Sequence, residues 1–334
     1  MASEALPTGA ASPSAAVAGG RGRAWVPALK RTLTIAFFVA VLALVANHAR
    51  HVDWGSVGAA LRAYSLATLG LAAALAAGSH LLYCGYDLIG RHETRHRLPA
   101  AKVAAIGFTC YAFNLNLGSL VGGVALRYRL YARLGLPVET ITKVLGLSVL
   151  TNWLGYAAVA GSVFVFAGLA VPPGWELGSQ GLRGLGAGLL VVAALYMGLC
   201  ALSPRQEWRI RGVALRLPSG RVAVLQLVLS ATNWMLIGGV VWVLLQQRID
   251  YASVLGVMLI AAVAGVITHV PAGLGVLEAV FIALLSHRMA QTELLAALLA
   301  YRALYYLMPL ALASALFFTL ETAARRSGRS ASPS

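Results

Sequence analysis

Two residues of opposite charge lie within apolar stretches in the C-terminal third of the chain. Glu278 directly follows the glycine-rich part of "THVPAGLGVLEAVFIALL" (268–285), and Arg302 follows 24 residues later. A charged side chain within a long apolar segment is costly, so it usually pairs with an opposite charge or lines a polar cavity. The sequence therefore predicts an ion pair, which serves either as a structural staple or as a gate or binding site that opens when a ligand binds.

A basic and aromatic run, "RYRLYARLG", holds three further arginines, Arg127, Arg129 and Arg133. Guanidinium groups bind phosphate oxygens through two parallel hydrogen bonds. Arg127 stands closest to the glycines of the preceding apolar segment, so we predict that it contacts a phosphate group. The usual accumulation of basic residues at the cytoplasmic ends of membrane helices explains Arg129 and Arg133.

Four asparagines are candidates for polar contacts inside the apolar segments. Asn114 and Asn116 lie at a predicted helix break, where their amides could cap backbone groups that the break leaves free. Asn152 and Asn233 each belong to a "TNW" sequence deep in a predicted span, where an interhelical hydrogen bond contributes about 1 kcal/mol. For these two residues, helix packing and contact with a transported molecule are both open.

Three other ionisable residues carry less specific signals. His80 and His269 are interpreted either as packing residues or as proton relays of a coupled transporter. Asp87 stands one helical turn before Arg91. This spacing predicts an ion pair between Asp87 and Arg91 at the membrane surface.

The sequence contains no recognisable catalytic or cofactor motif. It has no nucleophile with a nearby base, no metal-ligand spacing, no HExxH and no GxxxxGK. The three cysteines, Cys84, Cys110 and Cys200, have neither CxxC spacing nor histidine partners and are predicted to be packing residues. We therefore expect no enzymatic activity, no metal or cofactor, and no direct use of ATP.

The elements that must position these residues are membrane helices. The chain is 59% hydrophobic and 11% charged, which is far from the composition of a soluble domain. Its net charge of +15 would suit nucleic acid in a soluble protein, but Lys and Arg cluster between apolar runs, so the expected partner is an anionic lipid surface and not nucleic acid. Stretches long enough to span a bilayer lie at 32–48, 66–89, 144–170, 184–202, 222–246 and 294–320.

The distribution of basic residues sets the predicted orientation. Five segments hold 20 of the 26 Lys and Arg residues, which assigns these segments to the cytoplasm by the positive-inside rule. They are the stretch up to 31, 91–102, 127–143, 203–221 and the C-terminus. Because basic segments flank 103–126 on both sides, this apolar segment is predicted to enter and leave the membrane on the same side. The result is a re-entrant hairpin broken in "FNLNLGSLVGG", at Gly122 and Gly123.

A second re-entrant hairpin is predicted at 254–286. Helices over 254–269 and 276–286 would be about 24 Å and about 16 Å long, each shorter than the roughly 30 Å hydrocarbon core. The break between them contains three residues that interrupt or end helices, Pro271, Gly273 and Gly275. This hairpin is predicted to enter from the outer side, which lets the last helix return the basic tail to the cytoplasm.

These elements predict an all-α polytopic membrane protein with about six spanning helices and two re-entrant helical hairpins in an inverted repeat. Repeat one covers 66–170 and repeat two covers 222–320, in opposite orientations, an architecture that recurs among transporters. The transmembrane domain extends over 25–326. Disordered cytoplasmic tails are predicted at 1–24 and 327–334, where small and polar residues dominate.

Four motifs carry a resemblance to a known family. They are "YAFNLNLGSLVGGVALRYRLYARLGL" (111–136), "LTNWLGY" (150–156), "HVPAGLGVLEAVF" (269–281) and "AYRALYYLMPL" (300–310). With these motifs in this order, residues 30–320 resemble the transmembrane domain of lysylphosphatidylglycerol synthases and flippases and its stand-alone bacterial inner-membrane relatives. The resemblance implies a helical membrane domain that moves or presents phospholipids. Because the chain ends at Ser334 without room for the synthases' aminoacyl-transferase domain, lipid aminoacylation is not expected.

The expected function is translocation or presentation of phospholipids at the bacterial cytoplasmic (inner) membrane, with both termini in the cytoplasm. Two alternatives stay open: a non-transporting accessory protein that binds lipid or a membrane synthase, and a small-solute or ion transporter. A homo-oligomer is also open, since small-residue spacings such as Gly184 and Gly188 suit close packing within or between chains.

Overall fold

The computed structural model describes residues 55, 59, 61–169, 178–203, 207–210, 213–268 and 270–317. Helices dominate this part of the chain. A serine caps the start of the first helix, where the Thr68 amide donates to Ser65 Oγ at 3.1 Å. The elements are α1 (Leu66–Thr94), α2 (Ala100–Leu117), a π-helical segment (Ser119–Ala125), α3 (Leu126–Arg133), α4 (Val138–Phe166), α5 (Gly178–Leu202), β1 (Glu207–Ile210), β2 (Val213–Arg216), α6 (Gly220–Leu244), α7 (Tyr251–Thr268), a 3₁₀ turn (Pro271–Gly273), α8 (Val276–Leu285) and α9 (Gln291–Phe317).

Six of the described helices are long and apolar enough to cross a membrane: α1, α4, α5, α6, α7 and α9. Five of them coincide with predicted spans, which confirms the polytopic helical fold class. The sixth, α7, is the first limb of the predicted second hairpin and has 18 residues, so it is about 27 Å long and exceeds the predicted limb. The predicted span at 32–48 and the predicted tails at 1–24 and 327–334 lie outside the described residues.

A short β-hairpin stands between α5 and α6 and was not predicted. Strands β1 and β2 pair antiparallel, with Glu207 opposite Arg216. Each strand has four residues and falls within the basic segment 203–221. A two-stranded sheet of this size has little stability of its own, so the helices determine the described architecture.

The first helices of the two predicted repeats pack antiparallel. Gly78 of α1 faces Leu236 of α6, and Gly85 faces Leu229, so the numbering rises along one helix and falls along the other. The contact is close, because a Cβ atom at Gly85 would lie 3.2 Å from Leu229 Cδ1. This packing agrees with the predicted opposite orientations of the two repeats, while the inverted repeat itself stays a prediction.

The first helical hairpin turns earlier than the sequence suggested. After α2 the chain reverses at Gly118, whose φ of 84° lies in the region that favours glycine, and the π-helical segment then packs back on α2. This turn lies within the predicted stretch "FNLNLGSLVGG", but at Gly118 and not at Gly122 and Gly123, which belong to the π-helical segment. These glycines instead let the limbs approach each other, because a Cβ atom at Gly122 would collide with the Phe113 carbonyl.

The second helical hairpin turns where the sequence predicts. Between α7 and α8, Ala272, Gly273 and Gly275 have φ values of 56°, 56° and 78°. The limbs run antiparallel, since Arg288 after α8 donates to Asp250 before α7 at 2.7 Å. Left-handed backbone costs a non-glycine residue about 1–2 kcal/mol, so Ala272 is held in this turn by its surroundings.

The turns of both hairpins lie beside the middle of α9. Arg302, the twelfth of the 27 residues of α9, donates one hydrogen bond of 3.0 Å to each of the Ala272 and Gly273 carbonyls. Asn116, near the first turn, donates to the Tyr306 carbonyl at 3.2 Å. The turn of a re-entrant hairpin is expected beside the middle of a spanning helix, as both turns are here. The placement of these hairpins in a membrane stays a prediction. We call this meeting point the hairpin junction; it consists of residues 116–118, 271–278 and 302–306.

Candidate functional site

Glu278 and Arg302 form the ion pair that the sequence predicts. Arg302 Nε donates to Glu278 Oε1 at 2.6 Å, and Nη2 donates to Oε2 at 3.0 Å. The two side chains are 20% and 10% exposed, so the pair lies at the edge of the protein interior and is not sealed. The pairing is confirmed, and its role in gating or binding stays a prediction.

Glu278 also caps the helix that carries it. Its Oε2 atom accepts a hydrogen bond of 3.0 Å from the Gly275 amide at the start of α8. Unpaired amides and the helix dipole favour a negative charge at this position. One carboxylate thus fixes the hairpin turn, the first turn of α8 and, through Arg302, the middle of α9.

Arg302 begins a π-helical segment of α9, Arg302–Leu307. Such segments are rare and frequently occur at functional sites. The Arg302 guanidinium lies over the Tyr306 ring, with 5.6 Å between Cζ and the ring centroid, which is a cation–π contact. The Asn116 amide donates to the Tyr306 carbonyl and also to the Ala112 carbonyl at 2.8 Å, so it joins α2 to α9, and capping of groups freed by the first break stays a prediction.

A chain of buried hydroxyl groups lies next to the junction. Ser79 Oγ donates to Asn233 Oδ1 at 2.6 Å, its distance to the Tyr305 hydroxyl is 2.6 Å, and the Tyr305 and Tyr111 hydroxyls are 2.8 Å apart. The chain connects α1, α2, α6 and α9. Asn233 therefore makes the predicted interhelical hydrogen bond, whereas its contact with a transported molecule stays a prediction.

A second ion pair is sealed between α1 and α3. Arg127 donates to both carboxylate oxygens of Asp87 at 3.1 and 2.9 Å, and the Tyr131 hydroxyl donates to the same carboxylate at 2.8 Å. The predicted pairing of Asp87 with Arg91 is wrong, since Asp87 is fully buried and Arg91 donates to the Leu98 carbonyl at 2.7 Å. Helical spacing identified a nearby partner, but the first hairpin brings Arg127 to the buried side of α1.

The Arg127 guanidinium is engaged within the protein on several sides. Besides Asp87, it donates to the Gly123 carbonyl at 3.3 Å and to Ser148 Oγ at 3.5 Å, and Arg127 is 2% exposed. A phosphate could reach it only by displacing Asp87, and the phosphate contact stays a prediction. Arg302 has a similar arrangement, with bonds to an acid and to hairpin carbonyls.

The other two candidate asparagines accept hydrogen bonds through their backbone carbonyls. The Asn152 carbonyl accepts from Ser230 Oγ at 3.1 Å and from Trp234 Nε1 at 3.2 Å, which fastens α4 to α6. The Asn114 carbonyl accepts from the Gly118 amide at 3.0 Å, at the end of α2. The contacts of Asn152 support helix packing, whereas the bond at Asn114 only closes the last turn of α2. Contact of either side chain with a transported molecule stays a prediction.

A mostly apolar cavity of about 160 Å³ lies between α4, α5, α7 and α8. Ser253, His287 and Arg288 lie at one end of it, where α7 begins and α8 has ended. Burial would raise the pKa of the nearby Asp250 carboxyl, but hydrogen bonds from Ser253 and Arg288 outweigh it and hold this pKa below its ordinary value. The cavity thus has an apolar body and a charged end, a combination that suits an amphiphile.

Sequence reasoning missed the polar groups that are spread over several helices. Ser79, Tyr111 and Tyr305 are uncharged and lie in separate apolar segments, so no local pattern connects them. The available signal was the periodicity in α1, where Ser79, Tyr83 and Asp87 recur every four residues on one helical face. All three are buried.

Comparison with known proteins places this architecture in a family. Residues 31–313 match the model described as the lysylphosphatidylglycerol synthase TM region. The chain belongs to this family. The inner membrane protein YbhN of Escherichia coli strain K12 is 45% identical to this chain over 298 residues. The matched residues cover 89% of this chain and 94% of YbhN. The uncharacterized protein slr0712 of Synechocystis is 30% identical over 284 residues, which cover 83% and 87%.

Family membership confirms the resemblance that the four sequence motifs indicated. Together with the six described helices that can cross a bilayer, it identifies the chain as a multi-pass membrane protein. The family description names the membrane region of a lysylphosphatidylglycerol synthase.

Proposed function

We propose that this family member moves phospholipids across the bacterial inner membrane as a flippase-like translocator and has no enzymatic activity of its own. The family description supports the lipid, and the inner-membrane relative YbhN supports the membrane. The observation that carries the proposal is the hairpin junction, where a partly exposed arginine–carboxylate pair lies halfway along a spanning helix. Ionisable groups at this depth commonly mark a transport pathway.

The chemistry of Arg302 suits a lipid phosphate. Its planar guanidinium offers paired donors that fit a phosphate as well as a carboxylate. In the structure Glu278 occupies these donors, and in the proposed cycle a phosphodiester replaces it. One anion then exchanges for another on the same guanidinium, so the arginine is not left as an unpaired buried charge. Release of Glu278 removes one of the two ties between this hairpin and α9, and the junction opens when the bonds from Arg302 to the Ala272 and Gly273 carbonyls also break.

The surface beside the junction is apolar and exposed. Ile267 and Leu274, on either side of the turn, are 69% and 45% exposed. A headgroup at Arg302 can therefore be shielded by the junction while its acyl chains stay in the bilayer. The cavity between α4, α5, α7 and α8 offers a second apolar surface with Arg288 at its charged end.

Reconstitution into liposomes tests this function. We expect the wild-type protein to move several labelled phospholipids across the bilayer, and Glu278→Gln and Arg302→Gln each to slow this movement about tenfold, equivalent to about 1.4 kcal/mol. Each single change leaves the remaining partner without its counter-charge. The charge-swapped double variant, Glu278→Arg with Arg302→Glu, should recover part of the rate, whereas absence of any recovery would contradict the role of the pair.

The exposed pair between Arg248 and Glu293 is the matched control. Its N–O distance is 2.7 Å and its side chains are 52% and 45% exposed. It joins the loop after α6 to the first turn of α9, away from the junction. Removing both charges should leave lipid movement unchanged, because exposed pairs contribute little. Flux of labelled solutes without lipid movement would identify a solute or ion transporter instead. Absence of both activities would favour the accessory role.

A further inference from the structure

His80 is a buried histidine of α1 that lies next to the hydroxyl chain. Its side chain has a relative exposure of 2%, and Nδ1 lies 2.9 Å from the Ala76 carbonyl. Because a carbonyl oxygen only accepts, Nδ1 carries the hydrogen, and in the neutral ring Nε2 then presents a lone pair. Among the described residues Nε2 has no hydrogen-bond partner, although it is buried.

The neighbouring hydroxyl groups cannot satisfy this lone pair, because their hydrogens point elsewhere. Ser79 donates to the Asn233 side-chain oxygen, so the Tyr305 hydroxyl must donate to Ser79, and the Tyr111 hydroxyl must donate to Tyr305. Each of these three hydroxyl hydrogens therefore points along the hydroxyl chain towards Asn233. A buried acceptor without a donor is exceptional in proteins and requires an explanation.

The neighbours of the His80 ring are mostly aromatic. The rings of Phe108, Tyr111 and Tyr305 enclose it, with centroid distances of 5.8, 5.0 and 4.8 Å. Aromatic rings attract cations over their faces. On its own helix the Cys84 thiol donates to the His80 carbonyl at 3.2 Å, and α6 contributes the neutral Asn233 through Ser79.

The charged groups that lie nearest to His80 and Tyr305 along their own helices are already paired. On α1 the next acid along the chain is Asp87, which Arg127 of α3 neutralises at 2.9 Å. On α9 the nearest charge along the chain from Tyr305 is Arg302, which Glu278 of α8 neutralises at 2.6 Å. A proton at His80 would therefore add a net charge of one to the core of the bundle.

We propose that Nε2 of His80 is a proton-binding site and that proton uptake there drives the opening of the hairpin junction. The connection is Tyr305, which packs on the His80 ring and belongs to the same π-helical segment as Arg302. A change in the packing of Tyr305 shifts the segment that holds Glu278 and the turn carbonyls. This proposal rests on the proposed function, since it names the ion that powers lipid movement.

The proton balance of this step is simple. One proton from water binds the Nε2 lone pair and converts the neutral ring to an imidazolium. When the ring returns to its neutral form, the same proton leaves to water, and no other bond and no oxidation state changes. A charge added inside the bundle acts on the neighbouring ion pairs, because charges are screened little there. Such a change of charge shifts the equilibrium between the closed and the open hairpin junction.

Nuclear magnetic resonance of the wild-type protein tests the proton site without any transport assay. The protein is labelled with ¹⁵N at histidine and placed in lipid nanodiscs, and the His80 signals are assigned by their loss in His80→Gln. Between about pH 5 and about pH 8 we expect these signals to change from imidazolium to the neutral form with hydrogen on Nδ1. Signals that stay in the neutral form throughout would overturn the proposal and make His80 a packing residue.

The coupling is tested by lipid movement in liposomes under an imposed pH gradient. For the wild-type protein the rate should depend on the gradient, and in His80→Gln the ratio of rates with and without the gradient should fall to one, because glutamine cannot take up the proton. His96→Gln is the matched control, since His96 Nε2 also lacks a partner among the described residues but lies between α1 and α2. It should keep the gradient dependence.

The two experiments separate the two proposals. If the wild-type protein moves no lipid, the proposed function fails, and the ¹⁵N titration still decides whether His80 binds a proton. If lipid moves at a rate that ignores the gradient in both wild type and His80→Gln, lipid translocation stands and the coupling is wrong. Should His80→Gln fail to fold, Tyr305→Leu keeps His80 and removes the ring that packs on it. An unchanged gradient dependence in that variant would contradict the connection through Tyr305.

Discussion

At the scale of single residues, the two arginine–carboxylate pairs differ in how far they are sealed. Arg127 and Asp87 are 2% and 0% exposed, whereas Arg302 and Glu278 are 10% and 20% exposed. A sealed pair is hard to exchange, because each partner would be left as an unpaired buried charge. The partly exposed pair can exchange its carboxylate for an anion from outside. This difference favours a structural role for the first pair and supports the proposed transport role of the second.

Replacing the sealed carboxylate tests the structural role. Asp87→Asn leaves Arg127 buried without its counter-charge, and we expect the free energy of unfolding to fall by about 3–5 kcal/mol. Thermal unfolding of the detergent-solubilised protein measures the loss. The control is Glu139→Gln, which removes an exposed bond to Lys143 one turn away and should leave the melting temperature unchanged. Equal melting temperatures for the two variants would contradict the structural role of Asp87.

Sequence analysis identified one of these pairs and missed the other for a physical reason. Glu278 and Arg302 stand out because each is isolated in an apolar stretch, so their partners had to be each other. Asp87 has a basic residue one turn away, and this local partner concealed Arg127, which is 40 residues distant. Charge in an apolar segment can be recognised from sequence, whereas a choice between several possible partners depends on the tertiary fold.

At the scale of elements, glycines fix where helices cross. A Cβ atom at Gly155 of α4 would collide with Ser230 of α6, and the same crossing carries the bonds from Ser230 and Trp234 to the Asn152 carbonyl. At Gly146, earlier in α4, a Cβ atom would have no neighbouring atom within 4 Å. Both glycines lie in α4, but only Gly155 is in close contact with another helix.

These two glycines provide a matched test of the α4–α6 crossing. Gly155→Ala should lower the free energy of unfolding by about 1–3 kcal/mol, because the added methyl group forces the helices apart. Gly146→Ala should raise stability slightly, since alanine favours a helix over glycine by up to about 1 kcal/mol. Thermal unfolding of both variants measures the difference. A Gly155→Ala protein at least as stable as Gly146→Ala would show that the crossing is not as close as the structure indicates.

The sequence predicted the positions of some helices and turns and not of others. Hydropathy located five of the spanning helices, and Pro271 with its neighbouring glycines located the second turn. The first turn was misplaced because its segment contains three glycines, and the sequence does not reveal that Gly118 adopts positive φ while Gly122 provides close contact. The β-hairpin after α5 was missed because its four-residue strands lie in a basic segment without clear alternation.

At the scale of the whole molecule, basic residues predicted the directions of the helices but not the contents of the site. The antiparallel packing of α1 and α6 agrees with the orientation that charge indicates. The site combines groups that are far apart in sequence: Ser79 and Tyr305, whose hydroxyls are 2.6 Å apart, are separated by 226 residues. The hairpin junction arises only when two turns and the π-helical part of α9 come together, so no single segment could reveal it.

The most direct test of the central claim is where a lipid headgroup touches the protein. Wild-type protein in liposomes is illuminated with a phospholipid that carries a photoreactive group on its headgroup, and the modified residues are mapped by mass spectrometry. We predict modification around Leu274 at the junction and none around Val191, an equally apolar and exposed position halfway along α5. A lipid with the photoreactive group at the end of an acyl chain should mark both positions. Headgroup modification at both positions, or at neither, would contradict a headgroup pathway through the hairpin junction.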